Sequence, residues 1–283
     1  MSTPPKVATP PRLLSIAGSD SSGGAGIQAD LKAFARCGVY GMTAITAVTA
    51  QSTVGVAAVY GLGREAILEQ VRAVVEDIGV DAVKIGMLGD VETVAAVAEA
   101  LELTGRAPVV LDPVMVAESG AILLEEGARS LLVSRLVPRA TVITPNVAEA
   151  RVLAGAGEDA DPAELALRLH ALGPAAVVVT GGHRSMATDV FYDGYELVEI
   201  PGEAHPGDAA HGSGCTHSSA LAAQLALGFE PLEAARRAKE IASEAVRDGL
   251  RGIGSGAGPV DVTGLVPAAS VPAPEATLGA RRR

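Results

Sequence analysis

Six consecutive residues, His211, Gly212, Ser213, Gly214, Cys215 and Thr216, combine the parts of an anion-stabilising turn. Two glycines flank a serine, and small and apolar residues follow over 216–227 until Gly228. The pattern predicts a glycine-rich turn feeding a buried, Ala-rich helix with a glycine stop. Backbone N–H groups at such a turn point outward and the helix dipole adds partial positive charge, so the turn makes an anion hole. Cys215 falls in the first turn, where a thiol pKa is expected to drop, and it would serve there as a nucleophile or base. The local alternative is a plain left-handed turn before a packing helix, and these residues alone favour neither.

Other chemistry-bearing residues lie far away in sequence. A second glycine-rich loop, residues 18–26, contains Gly18, Asp20 and Gly24. Asp20 could accept a proton or hold a substrate hydroxyl, but the loop alone suggests an Asp bonding its own turn. Asp112 precedes Pro113, and Glu149 falls in the first turn of a helix that Asn146 can cap. Taken singly, these two are a turn residue and a helix-start carboxylate. Together, their hard oxygens suit Mg²⁺ at a phosphate site. An anion hole plus two carboxylates makes Mg-nucleotide the most economical ligand and phosphoryl transfer the reaction, since catalysis there is mostly positioning and charge neutralisation.

Competing chemistries lack their signatures. No G-x-x-x-x-G-K-[ST] loop is present, so the chain is not a Walker-type NTPase. Gly23, Gly24 and Gly26 have the wrong spacing for a dinucleotide fingerprint, and the looser match at 252–257 opens no helix. Ser213 is flanked at the outer positions by His211 and Cys215, so it is not a G-x-S-x-G elbow. The five histidines are scattered, and His211 and His217 lack the i, i+4 spacing of a helical zinc pair.

These residues need a scaffold, and the chain supplies an alternation of strands and helices. Apolar runs predict strands at 13–17, 43–49, 54–60, 81–85, 109–111, 141–144 and 176–180. Helical spacing predicts helices at 27–37, 64–78, 91–103, 125–136 and 232–250, with further helices after Asn146 and after Asp161-Pro162. Asp193-Gly194 between 189–192 and 196–200 signals a hairpin. Continuous apolar strands alternating with helices imply an α/β fold, a mainly parallel central sheet with helices on both faces. Ligands then bind beyond the carboxyl ends of the strands. Gly18, Asp20, Gln51, Met87, Asp112, Asn146, Glu149, Thr180, Gly182 and His211 through Cys215 all fall at such ends. The loop 117–123 and the hairpin near Gly194 are candidate covers.

Bulk properties narrow the setting. The chain has 283 residues, 48% hydrophobic, with 2% aromatics and no Trp, so its core must be Ala, Val, Leu and Ile. A net charge of −11 argues against nucleic-acid and anionic-membrane partners, and obliges a phosphate site to use backbone dipoles, a metal or local cations. Two distant cysteines, Cys37 and Cys215, suit a reducing cytoplasm. No stretch approaches the ~18 uninterrupted apolar residues of a membrane span, and the first dozen residues lack the apolar region of a secretory signal. Residues 1–11 and 267–283 read as loose tails around one domain at 12–266.

Several stretches together resemble one family. IAGSDSSGGAGIQADLK (16–32), GVYGMTAITAVTAQST (38–53), VKIGMLG (83–89), LDPVMVAESG (111–120), ITPNVAEA (143–150), TGGH (180–183) and HGSGCTHSSALAA (211–223) are similar to the bacterial hydroxymethylpyrimidine/phosphomethylpyrimidine kinases of thiamine biosynthesis, members of the ribokinase-like superfamily. The resemblance implies two ATP-dependent steps on one small pyrimidine, first at its hydroxymethyl group and then at the monophosphate. It implies that Gln51 bonds the aminopyrimidine while Gly18, Asp20, Gly24 and Met87 line its pocket. Asp112 and Glu149 would organise Mg²⁺. Asn146, Thr180, Gly182 and His211 would lie at the nucleotide. Gly212, Ser213 and Gly214 would form the anion hole, with Cys215 accepting the hydroxyl proton or orienting the hydroxyl. Relatives commonly self-associate.

Three positions depart from that pattern. Thr180 stands where relatives often carry Lys, Ala210 where Thr often precedes the His, and His217 where an apolar residue is usual. Two other readings remain: a pyridoxal kinase of the same subfamily, whose substrate is also a small aromatic heterocycle with a hydroxymethyl group, and a binding sensor without turnover, which only Thr180 and Ala210 favour. Gln51, with both donor and acceptor for an aminopyrimidine edge, favours the pyrimidine.

Overall fold

The computed structural model describes residues 9–117, 120–181, 187–205 and 209–265. Nine strands are joined in one sheet: β1 (Arg12–Asp20), β2 (Tyr40–Ser52), β3 (Gly55–Gly61), β4 (Ala82–Ile85), β5 (Val109–Leu111), β6 (Val142–Ile143), β7 (Ala176–Val179), β8 (Asp189–Tyr192) and β9 (Leu197–Ile200). Among the described residues eight α-helices accompany them: α1 (Gly26–Arg36), α2 (Arg64–Asp77), α3 (Val91–Ala100), α4 (Glu126–Arg135), α5 (Val147–Ala154), α6 (Pro162–His170), α7 (Ser213–Ala226) and α8 (Pro231–Arg247).

The sheet order is β3-β2-β1-β4-β5-β6-β7-β8-β9. β2, β1, β4, β5, β6 and β7 run parallel; β3 at one edge is antiparallel to β2, and at the other β8 is antiparallel to β7 and β9 to β8. The order reverses between β1 and β4, the position where a parallel sheet opens a crevice beyond its carboxyl ends.

Period-two alternation sends side chains to two cores. Leu14, Ile16, Val83 and Ile85 face a layer built by α2 to α6. Leu13, Ala82 and Val110 face α1, α7 and α8, where Phe34 meets a surface of alanines. Every residue of α7 from Thr216 to Leu225 is buried. On α8 the buried residues are Ala234, Ala235, Ala238, Ala242 and Ala245, a helical stripe whose small side chains let the two helices approach closely.

The structure lengthens three expected elements. β1 continues to Asp20, because after an irregularity its ladder resumes with Ser19 opposite Val48 and Asp20 opposite Thr49. Gly18 and Asp20 therefore belong to a strand rather than to the loop. β2 continues through Gln51 to Ser52, held by antiparallel pairing with Val56 and Gly55. α7 begins at Ser213, so Gly214 and Cys215 are already helical. The Gly194 turn is not a cover: β8 starts at the carboxyl end of β7 and runs back, so its turn lies at the opposite end, against His170. The Pro11 carbonyl accepts from the Tyr40 amide at 2.8 Å, which ties down the end of the expected N-terminal tail. Residues 1–8 and 267–283 of the expected tails lie outside the described residues.

Candidate active site

The carboxyl ends of β1, β2 and β4 to β7 surround a cavity of about 580 Å³. Gly18, Asp20, Gln51, Met87, Asp112, Asn146, Glu149, Thr180, His211, Gly212, Ser213, Gly214 and Cys215 all line it. Gly182 lies outside the described residues. Gly24 lies behind the wall: a Cβ there would strike the His211 ring, so this glycine makes room for the imidazole instead of facing a ligand.

Gly212 shows why the opening motif has its sequence. Its φ is +84°, a left-handed conformation that side chains resist, and a Cβ would collide with the Gly24 carbonyl. The two glycine-rich segments thus touch backbone to backbone. The Ser213 amide donates to the Ala210 carbonyl at 3.0 Å, which takes it out of the expected anion hole. The amides of Gly212, Gly214 and Cys215 have no partner among the described residues.

Cys215 is half-buried at this helix start. Its thiol does not drop as expected from its position. Burial pushes it up to about 12, Asp112 and Asp30 push the same way, and Lys84 with the Gly26 amide only partly opposes them. Burial first, and two buried carboxylates after it, decide the direction at this helix start.

At the other end of the cavity, Asp20 joins the two glycine-rich segments. One oxygen accepts from the Ser22 amide at 2.8 Å, the other from the Ala25 amide at 2.8 Å and from His211 Nε2 at 3.1 Å. Burial opposes ionisation, but these donors hold the carboxyl down at about 2. Asp20 is therefore both the turn-bonding Asp of the local reading and a fixed anion orienting His211. Gln51 is anchored by Ser21, whose hydroxyl donates to its carbonyl at 2.7 Å, and by Thr49, whose hydroxyl lies 3.1 Å from Oε1. Its Nε2 faces His211 at 3.5 Å, too far for a good bond and open to a ligand. A Cβ on Gly18 would meet the Met87 methyl, so this glycine gives Met87 its place on the wall.

Asn146 and Glu149 form a reciprocal capping box on α5. The Asn146 side chain accepts from the Glu149 amide at 2.9 Å, and Glu149 Oε2 accepts from the Asn146 amide at 3.0 Å. Even so, burial and the charge of Asp112 push the Glu149 carboxyl up to about 8. Burial also raises Asp112, whose Oδ2 accepts from Ser218 at 2.8 Å.

Beneath the cavity lies a polar network that sequence reasoning missed. Lys84 on β4 is opposite Ser15 on β1, and both side chains turn toward α1 and α7. Lys84 Nζ donates to Asp30 Oδ1 at 2.9 Å and lies 3.9 Å from Asp112. Ser15 and Ser219 donate to Asp30 at 2.6 and 2.7 Å. The signal was present: Lys84 interrupts an apolar strand, and Asp30 sits on the apolar face of α1 beside Ile27, Ala33 and Phe34.

No helix among the described residues is long and apolar enough to cross a membrane. A family model described as phosphomethylpyrimidine kinase matches residues 20–261. A hydroxymethylpyrimidine/phosphomethylpyrimidine kinase of Rhizobium meliloti is 49% identical over 87% of this chain and 95% of its own length. Among solved structures, a phosphomethylpyrimidine kinase of Clostridium difficile superposes with TM-score 0.74 at 41% identity, over 83% of this chain and 99% of that one. Pyridoxal kinase of Bacillus subtilis, solved as an ADP complex, gives TM-score 0.82 at 38% identity over 89% and 97%. With these superpositions the fold is ribokinase-like. With its glycine-rich turns, cysteine and strand-end carboxylates gathered on one cavity, the chain belongs to the phosphomethylpyrimidine kinase family.

Proposed function

We propose that the protein uses ATP to phosphorylate the hydroxymethyl group of 4-amino-5-hydroxymethyl-2-methylpyrimidine and then the resulting monophosphate, supplying the diphosphate to thiamine biosynthesis. The observation that carries this reading is the placement of Gln51, Met87 and Cys215 on one cavity wall system with the free amides of Gly212, Gly214 and Cys215. Gln51 offers Nε2 to the pyrimidine edge while Thr49 holds Oε1, and Met87 with Gly18 packs against the ring. The hydroxymethyl oxygen then faces Cys215. The free amides receive the negative charge of the transferred phosphoryl group, which a preorganised backbone stabilises without reorganisation.

Asp112 and Glu149 fit Mg²⁺ in one respect: burial raises both carboxyls and the charge of Asp112 raises Glu149 further, a strain that a cation held beside them relieves. Two protein carboxylates also match the way Mg²⁺ is held at phosphates, with waters and substrate oxygens completing the shell. When bound, the ion would neutralise phosphate charge. Compensating Asp112 also removes one of the carboxylates that hold the Cys215 thiol up. Asn146 and Thr180 lie on the nucleotide side, and the kinase domain is taken as residues 12–266.

Coupled ADP release, measured separately with hydroxymethylpyrimidine, its monophosphate and pyridoxal, tests the reading. Release with both pyrimidines is expected. The similarity to the Bacillus subtilis pyridoxal kinase favours a second reading, and release with pyridoxal alone would replace the first by it.

A further inference from the structure

A second cavity, of about 310 Å³, begins where the first ends. Gln51, Ala117 and His211 line both. Beyond them the second is walled on one side by the β2–β3 turn, with Thr53 and Gly55, and on the other by Gly256 and Ala257. That far wall is the glycine-rich stretch after α8, which opens no helix. It is fixed at two points. The His211 amide donates to the Gly258 carbonyl at 3.1 Å, and Thr53 Oγ1 accepts from the Ser255 and Gly256 amides, each at 3.2 Å. A Cβ on Gly254 or Gly256 would strike Thr53, so these glycines let the stretch press against the turn. The wall is therefore packed backbone, and its volume reaches the lower end of the range of ligand pockets, about 300–1,000 Å³.

The two cavities follow the sheet order. Thr180 and Asn146 lie beyond β7 and β6, Asp112 beyond β5, Gln51 on β2, and the second cavity at the β2–β3 turn. On the reading above, the line runs from nucleotide to transferred phosphoryl to pyrimidine, and then to the second cavity. The two phosphorylations make unequal demands on it. In the first, the hydroxymethyl oxygen bonds the γ-phosphorus and gives up its proton, while the bond to the bridging oxygen breaks and ADP leaves with that electron pair. In the second, an ionised oxygen of the monophosphate bonds the γ-phosphorus, and the same bond breaks to release ADP. The attacking oxygen must come within about 3–3.5 Å of phosphorus each time. In the second step it stands one phosphate farther from the ring. The anion hole cannot retreat to make room, because Gly212 is packed against the Gly24 carbonyl too closely to admit a Cβ. The ring must withdraw instead, along the line toward the β2–β3 turn.

We propose that the second cavity is the subsite that receives the pyrimidine ring of the monophosphate, so that the two steps share one anion hole and use two ring positions. Gln51 and His211 form the partition between them. Their Nε2 atoms are 3.5 Å apart, without a close bond, and Asp20 ties His211 in place. Rotation of one side chain, Gln51, therefore joins the cavities. The subsite rests on the two-step kinase reading above and deepens it.

The test is steady-state ADP release by the full chain, with hydroxymethylpyrimidine and with its monophosphate as separate substrates, and phosphorus NMR of the products. Two variants fill the second cavity from opposite walls: Ala257→Leu and Gly55→Val. Neither residue lines the first cavity, and a Cβ on Gly55 meets nothing within 4 Å. In both variants kcat/KM with the monophosphate is expected to fall about 10²-fold, the cost of a misplacement of about 1 Å. With hydroxymethylpyrimidine it should not change, so the monophosphate accumulates. Ala257→Ser, which adds little volume, should retain both steps. Unchanged turnover of the monophosphate in the folded variants overturns the subsite. Equal losses in the two steps also overturn it, because they reveal general distortion. A wild-type protein that phosphorylates hydroxymethylpyrimidine but not its monophosphate overturns the subsite and leaves the first-step reading standing. One that phosphorylates neither overturns the kinase reading itself, and the subsite with it.

Discussion

Lys84 and Asp30 form an ion pair 2.9 Å long in which neither side chain has any exposure to solvent. Burying such a pair is not a net source of stability, because desolvation offsets attraction; removing one partner is costly, because a lone charge stays buried. Lys84→Met is therefore expected to destabilise the fold by about 3–5 kcal/mol. Replacing both residues, by Lys84→Met with Asp30→Leu, should cost clearly less than the sum of the single changes. Urea denaturation of the four proteins measures the coupling. Additive single effects would mean that the pair does not act as a unit.

Much of the architecture was legible because it depends on local pattern. The continuous apolar strands imposed a parallel sheet, and Asn146 with Glu149 announced a capped helix that the structure contains. The ends of elements were less legible. Whether β2 includes Gln51 is decided by its partner Val56, a contact that no local run encodes. The thiol of Cys215 was misjudged for the same reason. Its helix position is local, whereas the burial that raises it, and the carboxylates of Asp30 and Asp112 that add to it, come from the packing of α1 and the end of β5 around it. His217 of α7 and Lys239 of α8 meet Asp189 at the start of β8, at 3.2 and 2.6 Å, a cluster assembled from three elements that only the unusual His217 hinted at.

Gly212→Ala tests the contact between the two glycine-rich segments. A left-handed φ costs a non-glycine residue about 1–2 kcal/mol, and here the added carbon also meets the Gly24 carbonyl. The turn must open to admit it, which displaces the free amides. Turnover is expected to fall by about 10²–10³, the usual loss when one such donor is misplaced. Steady-state kinetics with a Tm measurement would separate this from unfolding. Full turnover in a folded variant would show that these amides do not face the reacting group.

Gln51→Leu tests recognition of the pyrimidine. Ser21 holds the backbone of Gln51 and Thr49 holds its Oε1 before any ligand arrives, so its amide is a preorganised contact. Removing it should raise KM for hydroxymethylpyrimidine by about 10–100-fold, the equivalent of about 1–3 kcal/mol. Little change in kcat is expected, since the contact lies away from the hydroxyl. A fall in kcat with constant KM would contradict the assignment.

Glu149 gives a stability test with a definite sign. Its carboxyl is raised from 4.5 to about 8, so the folded protein holds the proton more tightly than the unfolded chain does. The resulting stabilisation is complete below the unfolded value and is lost as pH climbs to about 8. Glu149→Gln keeps an acceptor for the Asn146 amide and removes the titration. In metal-free buffer the variant should match wild type near pH 4.5 and exceed it in Tm at pH 8.5. Parallel Tm profiles across that range would refute the coupling.

Cys215 is the residue on which the mechanism divides. With its thiol held up at about 12, most molecules carry the neutral form at neutral pH, which can orient a hydroxyl but not receive its proton. A loose transition state makes only modest demands on a base, so either role is compatible with phosphoryl transfer. Cys215→Ala should keep nucleotide affinity and lose about 10²–10⁴ in kcat, the range of general-base assistance. Unchanged turnover would remove the base role. Cys215→Ser separates the two possibilities, because a hydroxyl retains the hydrogen bond but is far harder to ionise. If the thiolate receives the proton, wild-type kcat rises with pH through the neutral range, and the Ser variant is both slow and flat. If Cys215 only orients the hydroxyl, the two profiles run parallel. The same raised thiol should make wild type lose stability relative to Cys215→Ala as pH rises from about 9 toward 12, because only the folded thiol resists deprotonation there. That stability difference depends on the burial of the thiol and the charges around it, not on turnover, so it tests the raised thiol even where the kinetics favour orientation.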